Sequence, residues 1–239
     1  MKSNRRMNAE RTPDPRQPDS GDGPIGLFGG TFDPIHHGHL RLAEEAREAL
    51  GLNQVRFIPA GDPPHRDTPL SSAATRLEMV RMATAANPGF AVDDSEVRAT
   101  GKSYTVLTLE RLRARFGSGR PLVLILGADA FQGLHKWHRW TELFDLAHVA
   151  VANRPGTAPH GRRWPGVLAP ELEAACGERI RPGATALHEC PAGFVVPFDM
   201  TPLAISASLI RDLIRSGQSP RYLLPDPVLD YIARHTLYR

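Results

Sequence analysis

The stretch IGLFGGTFDPIHHGHL, residues 25–40, contains the features from which the fold can be predicted. It opens with an apolar run that ends in Gly29 and Gly30, a pattern typical of a buried strand leading into a turn. Apolar residues then recur at helical spacing from Leu40 to Leu50. A strand followed closely by a helix predicts the first βα unit of an α/β domain.

The same alternation continues along the rest of the chain. Further strands are predicted at Gln54–Ala60, Phe90–Val97, Pro121–Leu126, His148–Ala152 and Phe194–Phe198. Helical patterns cover 77–86, 104–116, 140–146, 170–175, 205–215 and 227–238. We therefore predict a Rossmann-like, doubly wound parallel sheet with C-terminal helices, whose ligands sit beyond the carboxyl ends of the strands where strand order reverses.

Composition narrows the class of protein. The chain has 239 residues, 41% of them hydrophobic, and a formal net charge of +3. This mild basicity suits anionic small ligands but lacks the Lys/Arg stripe of a nucleic-acid binder. Two cysteines give neither a disulfide framework nor a metal pair, and no apolar run reaches membrane length, so we expect a cytoplasmic protein without membrane or nucleic-acid partners. Residues 1–22 are predicted to be a disordered leader before one domain at 23–239.

The turn after the first strand carries the chemistry. Its glycines allow a ligand to approach the backbone, and a helix N-terminus near Gly38 favours phosphate. His36 and His39 are three residues apart, so both could face the same anion. The dinucleotide pattern GxGxxG is absent. The alternatives are a solvated loop or a metal site using His36, His37 and His39, although no cysteine or acidic partner stands nearby at ligand spacing.

GGTFDPIHHGHL resembles the HxGH signature of nucleotidyltransferases, in the form used by bacterial nicotinate-nucleotide adenylyltransferases. Six more segments are similar to that family's motifs, in the same order: PPHR at 63–66, SYT at 103–105, GAD at 127–129, WHRW at 137–140, NRPG at 153–156 and ISASLIR at 205–211. The resemblance runs from about Pro24 to the C-terminus, and 157–193 contributes little. It implies transfer of the adenylyl group of ATP to nicotinate mononucleotide, giving nicotinate adenine dinucleotide and pyrophosphate.

The resemblance also implies which residues handle ATP. His36 and His39 would hold the phosphates and the charge that builds at the α-phosphate, and Arg211 would hold the outer phosphates. The implied ATP-binding residues are Gly29, Gly30, Thr31, Phe32, Gly38, Gly127, Asp129, Ile205, Ser206 and Ser208. Ala207 and Ser208 stand where the family has serine and threonine. Local alternatives are that Ser206, Ser208 or Asp129 simply caps a helix.

A second implied group binds the mononucleotide: His65, Arg66, Tyr104, Thr105, Trp137 and Arg154. The indole of Trp137 would stack on the pyridine ring, whereas Trp140 suits core packing better. Backbone N–H groups at Tyr104 and Thr105 would take the nicotinate carboxylate. Arg66 stands where the family has lysine. The alternatives are a solvated basic loop and an ordinary capped helix start.

Magnesium is expected to accompany ATP as the co-substrate's counter-ion, with few or no protein ligands and no separate protein metal site. Two other readings remain open at this point. One is another HxGH adenylyl- or cytidylyltransferase, against which Trp137 and the SYT and PPHR segments argue. The other is a non-catalytic nucleotide-binding module.

Overall fold

The computed structural model describes residues 22–64, 68–153 and 168–239. Parallel strands there form one sheet: β1 (Ile25–Gly30), β2 (Gln54–Pro59), β3 (Phe90–Val92), β4 (Leu122–Gly127), β5 (His148–Asn153) and β6 (Val195–Asp199). Their order across the sheet is β3-β2-β1-β4-β5-β6. This confirms the predicted doubly wound fold. The order reverses between β1 and β4, which is where such sheets bind ligands.

Helices connect the strands within the same ranges: α1 (His37–Ala49), α2 (Ala73–Thr84), α3 (Ser95–Arg98), α4 (Thr105–Phe116), α5 (Ala128–Gln132), α6 (Leu143–Leu146), α7 (Pro170–Cys176), α8 (Ala207–Arg215) and α9 (Asp226–Arg234). Short 3₁₀ turns lie at Leu134–Lys136, Trp140–Glu142 and Ala184–His188. Among the described helices, each is too short or too polar to cross a bilayer.

Apolar clusters cover both faces of the sheet. On one face α1, α2, α8 and α9 pack against Val123 and Ile125 of β4. On the other face α4, α6 and α7 pack against Leu122 and Leu124 of the same strand. Because successive side chains of a strand point to opposite faces, a strand buried on both sides reads as the continuous apolar run seen in β4.

Two predicted boundaries are wrong. The strand expected at Phe90–Val97 ends at Val92, and the next residues turn into α3. The turn forms because Oδ1 of Asp93 accepts the N–H of Ser95 at 3.0 Å, which takes the chain out of the extended conformation. The last helix, expected to reach Tyr238, ends at Arg234. The predicted leader lies almost wholly outside the described residues and stays a prediction.

Candidate active site

The carboxyl ends of β1 and β4 lie side by side at the edge of the sheet. The two strands pair in parallel, with Leu27 opposite Leu124. The pairing stops there, so the last residues of the two strands, Gly30 and Gly127, lie beyond the paired stretch. Among the described residues, no heavy atom lies within 4 Å of where a Cβ would stand on Gly29 or Gly127. Glycine at these positions leaves open space against the backbone, which we call the crevice.

His36 and His39 form a stacked pair where the turn after β1 enters α1. Their ring centroids are 3.7 Å apart and their planes are inclined by 22°. The backbone N–H of His36 donates to Nδ1 of His39 over 3.3 Å, so neutral His39 carries its proton on Nε2. Gly38 permits this packing, because a Cβ there would stand 3.0 Å from Nδ1 of His36. The H-x-G-H spacing thus produces one compact imidazole pair at a helix N-terminus.

Aromatic rings of the preceding turn pack against His39. The ring of Phe32 lies edge-on to it, with 5.1 Å between centroids, and Phe28 lies at 6.1 Å. Gly30 makes room for this arrangement, since a Cβ there would approach the Phe32 ring to 2.8 Å. Phe32 also has a φ of 52°, a left-handed conformation that bulky residues rarely adopt. The turn therefore holds Phe32 against its local preference and restricts the ring of His39.

The imidazole of His36 is buried and polar. Its residue is 5% exposed, and its Nδ1 has no hydrogen-bond partner among the described residues. Burial, and secondly the neighbouring His37, lowers the pKa of His36 to about 4. The ring is therefore neutral at pH 7. The charge of a phosphate group bound beside the histidine pair would raise the pKa of His36 again.

The alternative of a three-histidine metal site finds no support in the described ranges. No three His, Cys, Asp or Glu side chains come together there as metal ligands. Stacked imidazoles also point their ring nitrogens less readily at a single ion than at an extended anion. The pair is better suited to phosphate oxygens.

The start of α8 lies against the same turn. Ser206 caps the helix, because its Oγ accepts the N–H of Leu209 at 3.1 Å. Arg211 donates to the backbone oxygen of Asp33 at 2.7 Å and to Oγ of Ser208 at 3.2 Å. The ISASLIR segment thus brings a cation and a helix N-terminus to the turn that contains both histidines.

The GAD segment runs directly from β4 into α5. Gly127 is the N-cap of α5, so the alternative that Asp129 caps this helix is wrong. Asp129 instead lies in the first helical turn and is exposed. Its carboxylate is favoured there by the helix dipole. It remains accessible beside the crevice, as a ribose contact would require.

A second cluster forms at the start of α4. Tyr104 is the N-cap in an extended conformation, and no side chain caps the first turn, which begins at Thr105. Ser103 ties this helix start to the end of β2, because its Oγ accepts the N–H groups of Gly61 at 2.9 Å and Asp62 at 3.2 Å. The first turn therefore presents backbone N–H groups at a fixed place, which suits an anion.

Glu96 of α3 lies beneath this helix start. It is 8% exposed, and its Oε1 accepts the hydroxyl of Thr108 at 2.6 Å. Burial raises the pKa of Glu96, although hydrogen bonds from Thr108 and Ser103 oppose the rise. Gly61 is required nearby, because a Cβ there would stand 2.2 Å from the backbone oxygen of Glu96. Tight packing thus fixes the β2 and α4 ends relative to each other.

The WHRW segment packs beside α4. The rings of Tyr104 and His138 are in contact, with centroids 4.5 Å apart and planes inclined by 36°. Trp137 and Trp140 are both half-buried against the apolar cluster on this face, and Trp140 lies edge-on to Phe144 at 6.3 Å. The fold thus brings the SYT and WHRW segments together. Each of the two indoles is partly buried in the apolar cluster, so core packing is part of the role of both tryptophans.

Arg76 of α2 is a feature that the sequence analysis missed. Its residue is only 1% exposed. Its guanidinium donates to the backbone oxygens of Thr31 and Ala60, both at 2.6 Å, and of Gly61 at 3.1 Å. One cation therefore holds together the loops that follow β1 and β2. The sequence alone could not indicate that Arg76 joins these loops. Arginines are ordinarily solvated, and the partners of Arg76 are backbone atoms, which leave no pattern in the sequence.

The remaining predicted site residues, His65, Arg66 and Arg154, lie outside the described residues. Their assignment to the mononucleotide site stays a prediction.

Comparison with known proteins places this architecture in a class. A family model described as Cytidylyltransferase-like matches residues 27–213, a range that contains the crevice, the histidine pair and most of α8. The doubly wound sheet, the crevice and this match define a nucleotidyltransferase of the cytidylyltransferase-like class.

Curated relatives narrow the class to one family. A protein from Dechloromonas aromatica, named "Probable nicotinate-nucleotide adenylyltransferase", is 56% identical over 216 residues, which cover 90% of this chain and 98% of the relative. A protein of the same name from Aeromonas salmonicida is 48% identical over 216 residues, covering 90% and 97%. The chain belongs to the nicotinate-nucleotide adenylyltransferase family of enzymes.

Solved structures agree in fold. The Plasmodium falciparum nicotinic acid mononucleotide adenylyltransferase complexed with NaAD superposes with a TM-score of 0.66 over 90% of this chain and 97% of its own. The two sequences are 12% identical, so this likeness speaks for the fold alone.

Proposed function

We propose that this chain transfers the adenylyl group of ATP to nicotinate mononucleotide, giving nicotinate adenine dinucleotide and pyrophosphate for NAD biosynthesis. The observation that carries the proposal is the stacked pair of His36 and His39 at the N-terminus of α1. The names of the curated relatives support the choice of reaction.

The ATP would lie along the crevice. His36, His39 and the N–H of Gly38 would bind the α-phosphate, because the N–H groups of His37 and His39 already donate to backbone oxygens. Arg211 with the start of α8 would bind the outer phosphates. An oxygen of the mononucleotide 5′-phosphate attacks the α-phosphorus in line. The bond from that phosphorus to the bridging oxygen of the β-phosphate breaks, and pyrophosphate leaves with its electron pair. The attacking phosphate is already ionised near pH 7, so no general base is needed.

The mononucleotide would lie against the start of α4 and the WHRW segment. The first turn of α4, from Thr105 onward, would offer N–H groups to the nicotinate carboxylate, and Trp137 would offer an indole plane to the pyridine ring. The N–H of Tyr104 donates to the backbone oxygen of Lys102 at 3.1 Å, so the expected contact through that N–H is not available. We assign His65, Arg66 and Arg154 to the phosphate of this substrate. Positive charge there would offset repulsion between the two polyanions.

Magnesium enters this scheme with ATP, as part of the substrate. Both carboxylate oxygens of Asp33, the acidic residue inside the histidine turn, already accept hydrogen bonds from Leu70 and Tyr238. Asp33 is therefore unsuited to bind the ion, whereas Asp129 is exposed beside the crevice. We also propose a cytoplasmic location, in keeping with the free thiols of Cys176 and Cys190.

The decisive experiment is pyrophosphate release from magnesium-ATP, with nicotinate and nicotinamide mononucleotide compared in parallel. We expect strong turnover with nicotinate mononucleotide and weak turnover with the nicotinamide form, which lacks the carboxylate. Equal rates would keep the adenylyltransferase but remove the carboxylate site at α4. No release with either, from protein that binds ATP, would point to another acceptor or to a non-catalytic nucleotide-binding module.

Matched variants test the carrying observation. His39→Asn removes the Nε2–H donor from the pair, and we expect kcat to fall about 10²-fold or more because charge at the α-phosphate loses a donor. His188→Asn is the control, since His188 is exposed and is the last residue of the 3₁₀ turn Ala184–His188 in the connection that leads to β6. Equal activity of both variants would remove His39 from the mechanism.

A further inference from the structure

Asp33 is the point at which three separate parts of the chain meet the histidine turn. Its residue is 5% exposed. Oδ2 accepts the backbone N–H of Leu70 at 2.8 Å, and Oδ1 accepts the hydroxyl of Tyr238 at 2.6 Å. Its backbone oxygen accepts Arg211 at 2.7 Å. Asp33 lies three positions before His36, so movement of Asp33 would move the histidine pair.

Tyr238 reaches Asp33 from the segment that follows α9. Its side chain is buried, and its hydroxyl also receives the hydroxyl of Ser71 at 2.9 Å. The hydrogen bonds therefore run in one direction, from Ser71 to Tyr238 to the carboxylate of Asp33. Burial and the bond to Asp33 raise the pKa of Tyr238, so the phenol keeps the proton that it donates.

The same chain of contacts continues to Arg76. Nε of Arg76 donates to the backbone oxygen of Ser71 at 3.3 Å, and its Nη1 donates to that of Thr31 in the histidine turn. Tyr238 thus belongs to a buried polar network that contacts the histidine turn at Thr31 and Asp33. Such networks specify one geometry when every member is satisfied.

The chain adopts an unfavourable backbone to place this phenol. Thr236 and Tyr238 have φ values of 52° and 64°, in the left-handed region that residues with a Cβ rarely adopt. These conformations bring the segment after α9 back onto the sheet. Strained backbone persists where surrounding contacts over-determine it, and the bond to Asp33 is such a contact.

We propose that Tyr238 is a positioning residue for adenylyl transfer: its hydroxyl fixes the carboxylate of Asp33 and thereby the histidine turn that receives the α-phosphate. The hydroxyl of Tyr238 bonds with Asp33 and Ser71, and neither residue belongs to the groups proposed to bind ATP or the mononucleotide. Its effect should therefore fall on the phosphate chemistry and leave mononucleotide binding unchanged. This inference rests on the proposed function.

Tyr238→Phe removes only the hydroxyl and keeps the ring in the core. Since small displacements of a catalytic group are costly and a hydrogen bond to a carboxylate is strong, we expect kcat to fall about tenfold. KM for nicotinate mononucleotide should stay within about twofold. A role in folding alone would lower the unfolding temperature and leave kcat of the folded enzyme unchanged.

Tyr231→Phe is the matched control. Tyr231 lies on α9, half-buried, with its ring 4.2 Å from that of His235, and it has no contact with Asp33 among the described interactions. The Tyr231→Phe variant also loses a phenolic hydroxyl from the C-terminal part of the fold, and we expect it to have the kcat of the wild type.

A double-mutant cycle identifies the route of the effect. If Tyr238 acts through Asp33, Tyr238→Phe combined with Asp33→Asn should be no slower than Asp33→Asn alone, within about twofold. Ser71→Ala replaces Asp33→Asn if the latter does not fold, because it removes the hydroxyl that donates to Tyr238. The proposal would be overturned if the double variant lost kcat by the product of the two single losses. An unchanged kcat in Tyr238→Phe would overturn it as well.

Binding of a non-hydrolysable ATP analogue separates this inference from the proposed reaction. Calorimetry should give a Kd about three- to tenfold weaker for Tyr238→Phe than for the wild type, whatever the acceptor. Wild-type protein that binds the analogue but does not adenylate a mononucleotide would defeat the proposed reaction alone. An unchanged Kd in that case would also defeat the role of Tyr238.

Discussion

The two imidazoles are held in place by their neighbours in the turn after β1 and at the start of α1. Gly38 leaves the space that the His36 ring fills, and Phe32 packs edge-on against His39. As a result, His36 is buried in its neutral form before any anion is present. The pair is therefore already in position when a phosphate group binds, and little reorganisation is needed at that point.

Burial of His36 predicts a specific dependence of stability on pH. Its pKa is about 4 in the folded protein and 6.5 by reference to the unfolded chain. Above pH 6.5 both states are neutral and the stability is fully present. As the pH falls below 6.5, His36 becomes protonated in the unfolded chain but stays neutral in the folded protein. The free energy of unfolding therefore decreases progressively down to pH 4. The loss from this one group reaches about 3 kcal/mol at pH 4.

Urea unfolding between pH 7 and pH 4 measures this loss. His36→Gln should be less sensitive to acid than the wild type, by up to about 3 kcal/mol. The exposed His188→Gln variant should follow the wild type. Burial also lowers the pKa of His148, but His148 is present in all three proteins and cancels in the difference. Identical pH slopes in the wild type and His36→Gln would refute the assignment.

The strands and most helices could be predicted from sequence because their signals are local. The buried run of β4 and the helical spacing of α1 and α4 need no partner to be recognised. The failures have two causes. Phe90–Val97 was predicted as a strand from its apolar residues, although the side chain of Asp93 starts a local turn by accepting the N–H of Ser95. The role of Arg76 was missed because its acceptor on Thr31 lies 45 positions away. The histidine motif was visible in sequence, whereas the network behind it was not.

Arg76 should therefore matter far more than its place in a helix suggests. Replacing it with methionine leaves buried backbone oxygens after β1 and β2 without a donor, and we expect a loss of about 3–5 kcal/mol in the free energy of unfolding. Arg81→Met is the matched control on α2. The Arg81 side chain is 47% exposed and pairs with Asp94, so its loss should cost about 0–1 kcal/mol.

Chemical denaturation of the two variants in parallel gives the comparison. Similar losses for Arg76→Met and Arg81→Met would mean that the buried network contributes little beyond a surface ion pair. A large loss confined to Arg76→Met would agree with its role in joining the two loops.

The described part of the molecule depends on one sheet with an apolar cluster on each face. The histidine turn and α8 lie with the first cluster, whereas α4 and the WHRW segment lie with the second. The residues proposed to bind the ATP phosphates and those proposed to bind the mononucleotide are thus supported from opposite faces of the sheet. Because β1 and β4 contribute to both clusters, loosening either face should disturb the whole sheet.

Ile210 and the tryptophans allow this coupling to be measured. Ile210 of α8 is 0% exposed in the first cluster, and Ile210→Ala should cost about 2–5 kcal/mol through cavity formation. Trp137 and Trp140 report on the opposite face. The third tryptophan of the chain, Trp164, is replaced by phenylalanine so that the fluorescence comes from Trp137 and Trp140 alone. In that background, Ile210→Ala should shift the fluorescence transition in urea by the same free energy as the circular dichroism transition.

Leu209→Ala is the control for Ile210→Ala, because Leu209 is the preceding residue of α8 and is 41% exposed. Its effect should stay below about 1 kcal/mol by both probes. If the dichroism transition of Ile210→Ala moves while the tryptophan transition stays at its original urea concentration, the two faces unfold separately. If both transitions of Ile210→Ala shift together, the two apolar clusters unfold as one cooperative unit. This is the expected result, because β1 and β4 contribute to both clusters.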